Sequence, residues 1–397
     1  MHGKHYSHND YYEKEQLVEG KVFGNLAKDL GLEEGKVITN KQFKDLSENK
    51  HAATGEKLTR VVEGRKPFCD MTVSMPKTWS IQAKIAGDER VMGYHRAAKD
   101  KVKAEFYRIV GRQAHNRMEH LEYTGKLAGV EYEHDTNRCM EVQVHTHLIL
   151  WNVTRSVNGK LYAIDFREFM DQSPYLTAIY RDELARLALA DGFHITIGKY
   201  GQPEITELME MAAEHQKRSD EIDIVMDQIE EYAGIELNQR EKAAIVRASR
   251  GLDVEKFKRT WEARKDEFAT LKSLDPETAE IDRRKLLAEF TAIVQTSSES
   301  NLRKISTEEV RAEQRFRVTP EQWKILETLK ATRAPERQVI TPDLDRSIDY
   351  AIDRLFQNES VVKMYELYEA ILQHAQGLGV NLDEMKVKVA RHPGRSA

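Results

Sequence analysis

Cysteine is nearly missing from this chain. There are two in 397 residues, Cys69 and Cys139, far apart and in no CxxC spacing. That excludes a disulfide framework and makes a reducing cytoplasm the expected setting. Long apolar runs are missing too. No stretch approaches the roughly 20 apolar residues that a bilayer span needs, and the mean hydropathy is −0.64, so no membrane insertion is expected. The opening MHGKHYSHNDYYEKE has no apolar core and does not read as a secretory signal. No GxxxxGK[ST] occurs, so no P-loop motor is expected in these residues. An excess of basic charge is also lacking, with 61 Lys+Arg against 66 Asp+Glu. The balance is uneven, since residues 1–200 carry 30 basic and 28 acidic side chains and the rest 31 and 38. A basic face can sit on a nearly neutral domain, so charge neither makes nor excludes a nucleic-acid binder. What the chain does have is histidine placed unevenly: 12 of the 14 lie before residue 216.

The first half mixes periods. Residues 68–74 (FCDMTVS) and 142–153 (VQVHTHLILWNV) are short, β-branched and alternating, which predicts strands. Residues 88–121 have helical spacing and good helix formers. Residues 174–190 form a second helix, with Pro174 suited to its first turn and Gly192 to its end. Residues 193–206 read as a hairpin turning near Gly201. Beyond about residue 206 the pattern is helical and highly charged, and from Val318 Pro-containing breaks separate short helices. The expected fold class is therefore α+β, followed by a helical extension and a small C-terminal helical module.

The most specific constellation is His134, His145 and His147, in EYEHDTNRCMEVQVHTHLILWN. Side chains alternate along a strand, so His145 and His147 share a face while Val144, Thr146 and Leu148 take the other. His134 ends a strand-like segment, and the intervening residues can return it beside the pair. Three neutral imidazoles leave coordination positions open, which suits a catalytic metal rather than a closed structural one. Ordinary strand histidines fit the spacing as well, as does a hydrolase that uses a metal-bound water.

Tyr6, Tyr11 and Tyr12 fall within seven residues of a segment too polar to need aromatic packing. A tyrosine oxygen can attack a phosphodiester and store the bond as a phosphotyrosine. Exposed stacking is the bland reading of the same residues. Asp70, on the 68–74 strand, can orient a metal-bound histidine or take the tyrosine proton; a solvated strand acid is the alternative. In SMPKTWS, Ser74 reads as a helix N-cap, and Lys77 either meets a phosphate or is solvated. The four tryptophans, at 79, 151, 261 and 323, are candidates for base stacking, with Trp79 and Trp151 better suited to the core.

Taken in order, HYSHNDYY, DMTVSMPKTWS, HDTNRCMEVQVHTH, YRDELARLALADGFHI and HQKRSDEI resemble the relaxase domain of MobF-class conjugative relaxase–helicases, within the HUH endonuclease superfamily. The resemblance covers about residues 1–235. It implies an antiparallel palm-like sheet with flanking helices, and a tyrosine that cuts one DNA strand to leave a 5′-phosphotyrosine and a free 3′-hydroxyl. By motif position it implies His134, His145 and His147 as ligands of one divalent ion (Mg²⁺, Mn²⁺ or Zn²⁺) and Asp70 as the acid acting with them. The family has two Tyr-Tyr pairs. Tyr11–Tyr12 matches the downstream pair and Tyr6 stands nearest the upstream one, which assigns Tyr6 to the first cut and Tyr12 or Tyr11 to the second. In the family the region opened by HQKRSDEI closes over the DNA, which makes Lys217 and Arg218 candidate phosphate contacts beside Lys77; a solvated helix start is the alternative. The implied partners are single-stranded and hairpin transfer-origin DNA, relaxosome accessory proteins and a type IV coupling protein.

The expected organisation is a relaxase domain over 1–235, a helical extension over 236–310 and a module over 311–397 that begins a helicase region. Three other readings remain: a rolling-circle replication initiator, a metal-dependent hydrolase, and a DNA-binding protein without catalysis.

Overall fold

The computed structural model describes residues 19–60, 63–113, 121–137, 141–215, 217–233, 236–238, 241–242, 244–245, 253–268, 279–297, 307–333, 342–357 and 360–392. They fall into two compact units. The first draws on 1–135, 142–211 and 311–397, and the second on 136–141 and 212–310.

A four-stranded sheet organises the first unit. Its strands are β1 (Lys21–Phe23), β2 (Phe68–Ser74), β5 (Gly129–Thr136) and β6 (Val142–Trp151), in the order β1-β5-β6-β2. β1 runs antiparallel to β5, and β2 antiparallel to β6. β5 and β6 are neighbours joined by only residues 137–141, too short for a parallel crossover, so they too are antiparallel. This is the expected α+β architecture. Between β2 and β5 lies a short ribbon, β3 (Gly111–Gln113) with β4 (Leu121–Tyr123). After β6 come β7 (Thr154–Arg155) with β8 (Leu161–Tyr162), then β9 (Ile195–Ile197) with β10 (Pro203–Ile205).

β6 shows why the sheet forms here. Val142, Val144, Thr146 and Leu148 are buried, whereas Gln143, His145 and His147 are partly open. Period-2 alternation thus buries one face while leaving polar groups on the other. Beyond His147 the strand is buried on both faces. There Ile149 and Trp151 join Phe43, Phe68, Val130 and Tyr132 in a core cluster. Phe43 comes from α1 (Asn40–Ser47), which Thr39 and Gln42 open with a capping box.

Helices α2 (Lys77–Lys84), α3 (Glu89–Ile109) and α4 (Ser173–Ala190) follow in the same unit. Ser74 is not the N-cap of α2: it pairs with His145 as the last residue of β2, and Pro76 occupies the cap position. Proline presets the backbone dihedral there, so the helix starts without a side-chain cap. α3 is shorter than the 88–121 spacing suggests. Asp88 caps its start, and at Val110 the chain turns extended to pair Gly111 with Tyr123. Tertiary pairing overrides helix propensity there. α4 starts with Pro174 in its first turn and is followed by Gly192 at φ 89°, as the sequence suggests. β9 and β10 form the expected hairpin, with Gly201 at φ 74°.

The contacts cut across chain order. Residues 311–397, set apart by sequence pattern, belong to the first unit. They hold α8 (Thr307–Phe316) from Arg311 onward, with α9 (Pro320–Ala331), α10 (Leu344–Phe356), α11 (Met364–His374) and α12 (Leu382–Arg391). The Asp182 carboxylate of α4, 0% exposed, accepts from the backbone N–H groups of Gly377, Gly379 and Val380 at 3.0–3.3 Å. Arg90 of α3 donates to the carbonyls of Leu329, Lys330 and Thr332 that end α9. Buried charges held by backbone groups are costly to separate, which binds this segment to the sheet unit.

The second unit is helical, with α5 (Lys217–Ala233), α6 (Val254–Arg264) and α7 (Ala279–Thr296). Its core is Val225, Ile229, Phe257, Trp261, Leu286, Phe290 and Ile293. Trp79, Trp151 and Trp261 are all core residues, so none of the three presents a stacking face. No helix among the described residues is long and apolar enough to cross a membrane.

Candidate active site

The site is built on the open face of the β5–β6–β2 part of the sheet. Strand alternation puts His145 and His147 side by side. The β2–β6 register sets Ser74 opposite His145, Thr72 opposite His147 and Asp70 opposite Ile149. Asp70 therefore lies diagonally across from His147, within cross-strand reach. His147 Nδ1 stands 3.0 Å from both carboxylate oxygens of Asp70 and 3.1 Å from Thr72 Oγ1. His145 Nδ1 is 2.9 Å from the Gln143 carbonyl oxygen, which can only accept. In both rings Nδ1 thus carries the proton, and Nε2 holds the lone pair a metal uses.

His134 arrives from β5. The three rings form a nearly equilateral triangle, with centroid separations of 5.2, 5.3 and 5.2 Å. Ligand nitrogens sit about 2.0–2.1 Å from Zn²⁺, which places ring centroids roughly 5.2 Å apart when three imidazoles occupy tetrahedral positions. Burial and the neighbouring His145 and His147 push His134 down to about pKa 3, so it is the neutral imidazole a ligand must be. Among the described residues no three or more His, Cys, Asp or Glu side chains are arranged as they stand to hold a metal ion. The fit lies instead in ring spacing, which the sheet sets, while side-chain rotation sets the final aim of each nitrogen. The donor set and its carboxylate support match what a divalent ion with open positions requires.

The elements under these residues hold them firmly. Val144 N–H donates to Ser80 Oγ of α2 at 3.0 Å, and Met75 N–H donates to the Val144 carbonyl at 2.9 Å. Lys77 Nζ donates to the Val142 carbonyl at 3.1 Å, so the expected phosphate contact is tied to the first residue of β6. Lys217 and Arg218 open α5, in the second unit. Tyr6, Tyr11 and Tyr12 lie outside the described residues, as does Cys139. The structure thus brings together His134, His145, His147 and Asp70.

Sequence reasoning missed the groups on the other face of the same strands. His95 of α3 is wholly buried beneath β6, with Nε2 2.9 Å from Thr146 Oγ1 and Nδ1 2.7 Å from Tyr180 Oη. Burial pushes it down to about pKa 3. Nothing local in GYHRAA distinguishes it, because its partners lie 51 and 85 residues away. Also missed were the acids alternating along β5, Glu131, Glu133 and Asp135, each paired with a base from a helix.

The family model described as TrwC relaxase matches residues 2–268. The multifunctional conjugation protein TraI of Escherichia coli strain K12 is 27% identical over 187 residues, which cover 46% of this chain and 10% of TraI. A second Escherichia coli TraI is 28% identical over 217 residues, 51% of this chain and 12% of that protein. The chain thus spans about a tenth of the length of these curated relatives. Among solved structures, the metal-bound conjugative relaxase TrwC in complex with oriT DNA superposes with a TM-score of 0.54 at 23% identity, covering 74% of this chain and 94% of that one. TrwC complexed with a 27-mer DNA comprising the recognition hairpin and the cleavage site gives 0.52 at 23% identity, covering 70% and 91%. The structural likeness bears on the fold.

Proposed function

Since the chain belongs to the TrwC relaxase family, we propose that it is a DNA strand transferase that nicks and rejoins single-stranded DNA at a plasmid transfer origin. The observation that carries this reading is the imidazole triangle, with the Nδ1 atoms of His145 and His147 already engaged and Asp70 behind His147. A divalent ion held by His134, His145 and His147 would polarise the non-bridging oxygens of the scissile phosphate. Mn²⁺, Zn²⁺ and Mg²⁺ are the candidates, the three imidazoles favouring the first two.

Tyr6 is the proposed first nucleophile. Its oxygen attacks phosphorus as the phenolic proton passes to solvent, and the bond to the 3′-oxygen breaks, that oxygen taking up a proton from solvent, to give a 5′-phosphotyrosine and a free 3′-hydroxyl. Tyr12 or Tyr11 serves a later strand transfer, and attack by a 3′-hydroxyl on the phosphotyrosine reverses the step. Asp70 orients His147: with both oxygens 3.0 Å from Nδ1, it fixes the tautomer and the direction of the ring. Lys77, Lys217 and Arg218 are proposed DNA contacts. Hairpin DNA, relaxosome accessory proteins and a type IV coupling protein complete the proposed setting, in the cytoplasm.

The test is incubation with labelled single-stranded transfer-origin DNA, with Mn²⁺ or with EDTA, followed by denaturing electrophoresis. The expected result is a metal-dependent covalent adduct, lost in Tyr6→Phe and His145→Ala. Cleavage without an adduct replaces this reading with water-driven hydrolysis. Binding without cleavage under any metal leaves a DNA-binding protein. An adduct that maps away from all three tyrosines overturns their assignment.

A further inference from the structure

His134 differs from its two partners in how its strand is held. His145 and His147 sit on β6, which has β5 on one side and β2 on the other. β1 pairs with β5 only at Gly129, Val130 and Glu131. Among the described residues, then, the end of β5 that carries His134 has a strand neighbour on the β6 side alone.

The opposite face of β5 supplies a ladder of ion pairs. Glu131 meets Lys99 and Lys103 of α3, each at 3.0 Å. Glu133 meets Arg96 of α3 at 2.9 Å. Asp135, the residue after His134, forms the last rung, but its partners are not from α3. Lys84 Nζ, at the end of α2, lies 3.0 Å from one carboxylate oxygen, and the Arg311 guanidinium of α8 pairs with the other. The Asp135 side chain is 13% exposed and that of Lys84 12%. A second arginine of α8, Arg315, donates to the carbonyls of Ile85 and Lys84, where α2 ends. The same helix therefore grips both the end of α2 and the end of β5.

We propose that Arg311 is a positioning residue for the metal site. It acts through Asp135 to hold the end of β5, and with it the His134 ring. Arg311 lies beyond residues 2–268, the span of the family match, so this support comes from a part of the chain outside the matched domain. The inference rests on the metal reading above. Removing one partner of a mostly buried pair leaves the other charge poorly compensated, and partners that orient a ligand contribute roughly 10–100-fold to metal affinity.

The experiment is Mn²⁺ titration by calorimetry on the whole chain, with thermal unfolding of each variant measured alongside. Arg311→Met is expected to bind Mn²⁺ about tenfold more weakly at temperatures where its unfolding curve shows it fully folded. Arg311→Lys, which keeps the charge, restores most of that affinity. Arg315→Met loosens the grip on α2 without touching Asp135, and Arg317→Met removes only an exposed pair with Glu313. Both are expected to bind as the wild type does. Arg311→Met and Asp135→Asn together should cost little more than either alone, because they break the same contact.

Wild-type affinity in Arg311→Met overturns the proposal, as does an equal loss in Arg315→Met, which would mean that docking of α8 in general is what matters. Additive losses in the double variant overturn it too. If the wild type itself binds no Mn²⁺ and His145→Ala changes nothing, the metal reading falls and takes this inference with it. If the wild type binds Mn²⁺ with His145 and Arg311→Met has no effect, this inference alone falls.

Discussion

Strand β6 has a histidine environment on each face, and the two are opposites. On the open face, His145 and His147 each commit Nδ1 to an oxygen, a backbone carbonyl for one and the Asp70 carboxylate for the other. On the covered face, His95 commits both ring nitrogens, one to Thr146 and one to Tyr180. On the open face the Nδ1 bond orients each ring and sets the tautomer in which Nε2 is the accepting nitrogen. A ring held by both nitrogens is a buried polar bridge, satisfied and closed to other ligands. Partners, more than residue type, separate a ligand from a structural histidine.

Substitutions on the two faces should part company. His145→Ala is expected to lower the rate of covalent DNA adduct formation by about 10³-fold, equivalent to ~4 kcal/mol of barrier, with little change in unfolding temperature. Comparable adduct formation in the variant would remove His145 from the reaction. His95→Ala should do the reverse. It opens a cavity and orphans Thr146 and Tyr180, at a cost of about 3 kcal/mol in denaturant unfolding, while folded molecules keep their metal affinity. Loss of affinity without loss of stability would show that the two faces are not distinct.

Asp70→Asn sharpens the comparison within the open face. It replaces the carboxylate behind His147 with an amide of the same shape, and should weaken Mn²⁺ binding about 10–100-fold by calorimetry. An unchanged affinity would reduce Asp70 to a strand residue.

The covered face also makes a prediction about pH dependence. His95 titrates near pKa 3 in the fold against an ordinary 6.5, so below pH 6.5 the unfolded chain binds a proton that the folded chain refuses. Its contribution is fully present above pH 6.5 and is lost as pH falls toward 3, by up to about 1.4 kcal/mol per pH unit. Urea unfolding from pH 4.5 to 7.5 should show that slope reduced in His95→Gln. Equal slopes in the two proteins would mean that the buried ring is not what titrates.

Much of the site was legible because it is local. Period-2 alternation placed His145 and His147 on one face, and the short connection brought His134 beside them. The hairpin at Gly201 and the helix from Pro174 to Gly192 were legible for the same reason: each depends on residues a few positions apart. The Asp182 contacts were not, since that acid is an ordinary helix residue until the backbone of 377–380 closes on it. Nor was the Ser74 cap correctly read, because whether Ser74 ends a strand or starts a helix depends on its pairing with His145.

The sequence by itself pointed to the three histidines, to Asp70 as a candidate acid, to the α+β class and to the family resemblance, through short-range period and motif order. Only the tertiary structure decided which oxygen holds each Nδ1, that His95 is a closed bridge, and that residues 311–397 complete the sheet unit. Those outcomes depend on strand register and on ion pairs between residues far apart in the chain. Asp135 and Arg311 are 176 positions apart in sequence, and no local pattern in either segment records that they meet.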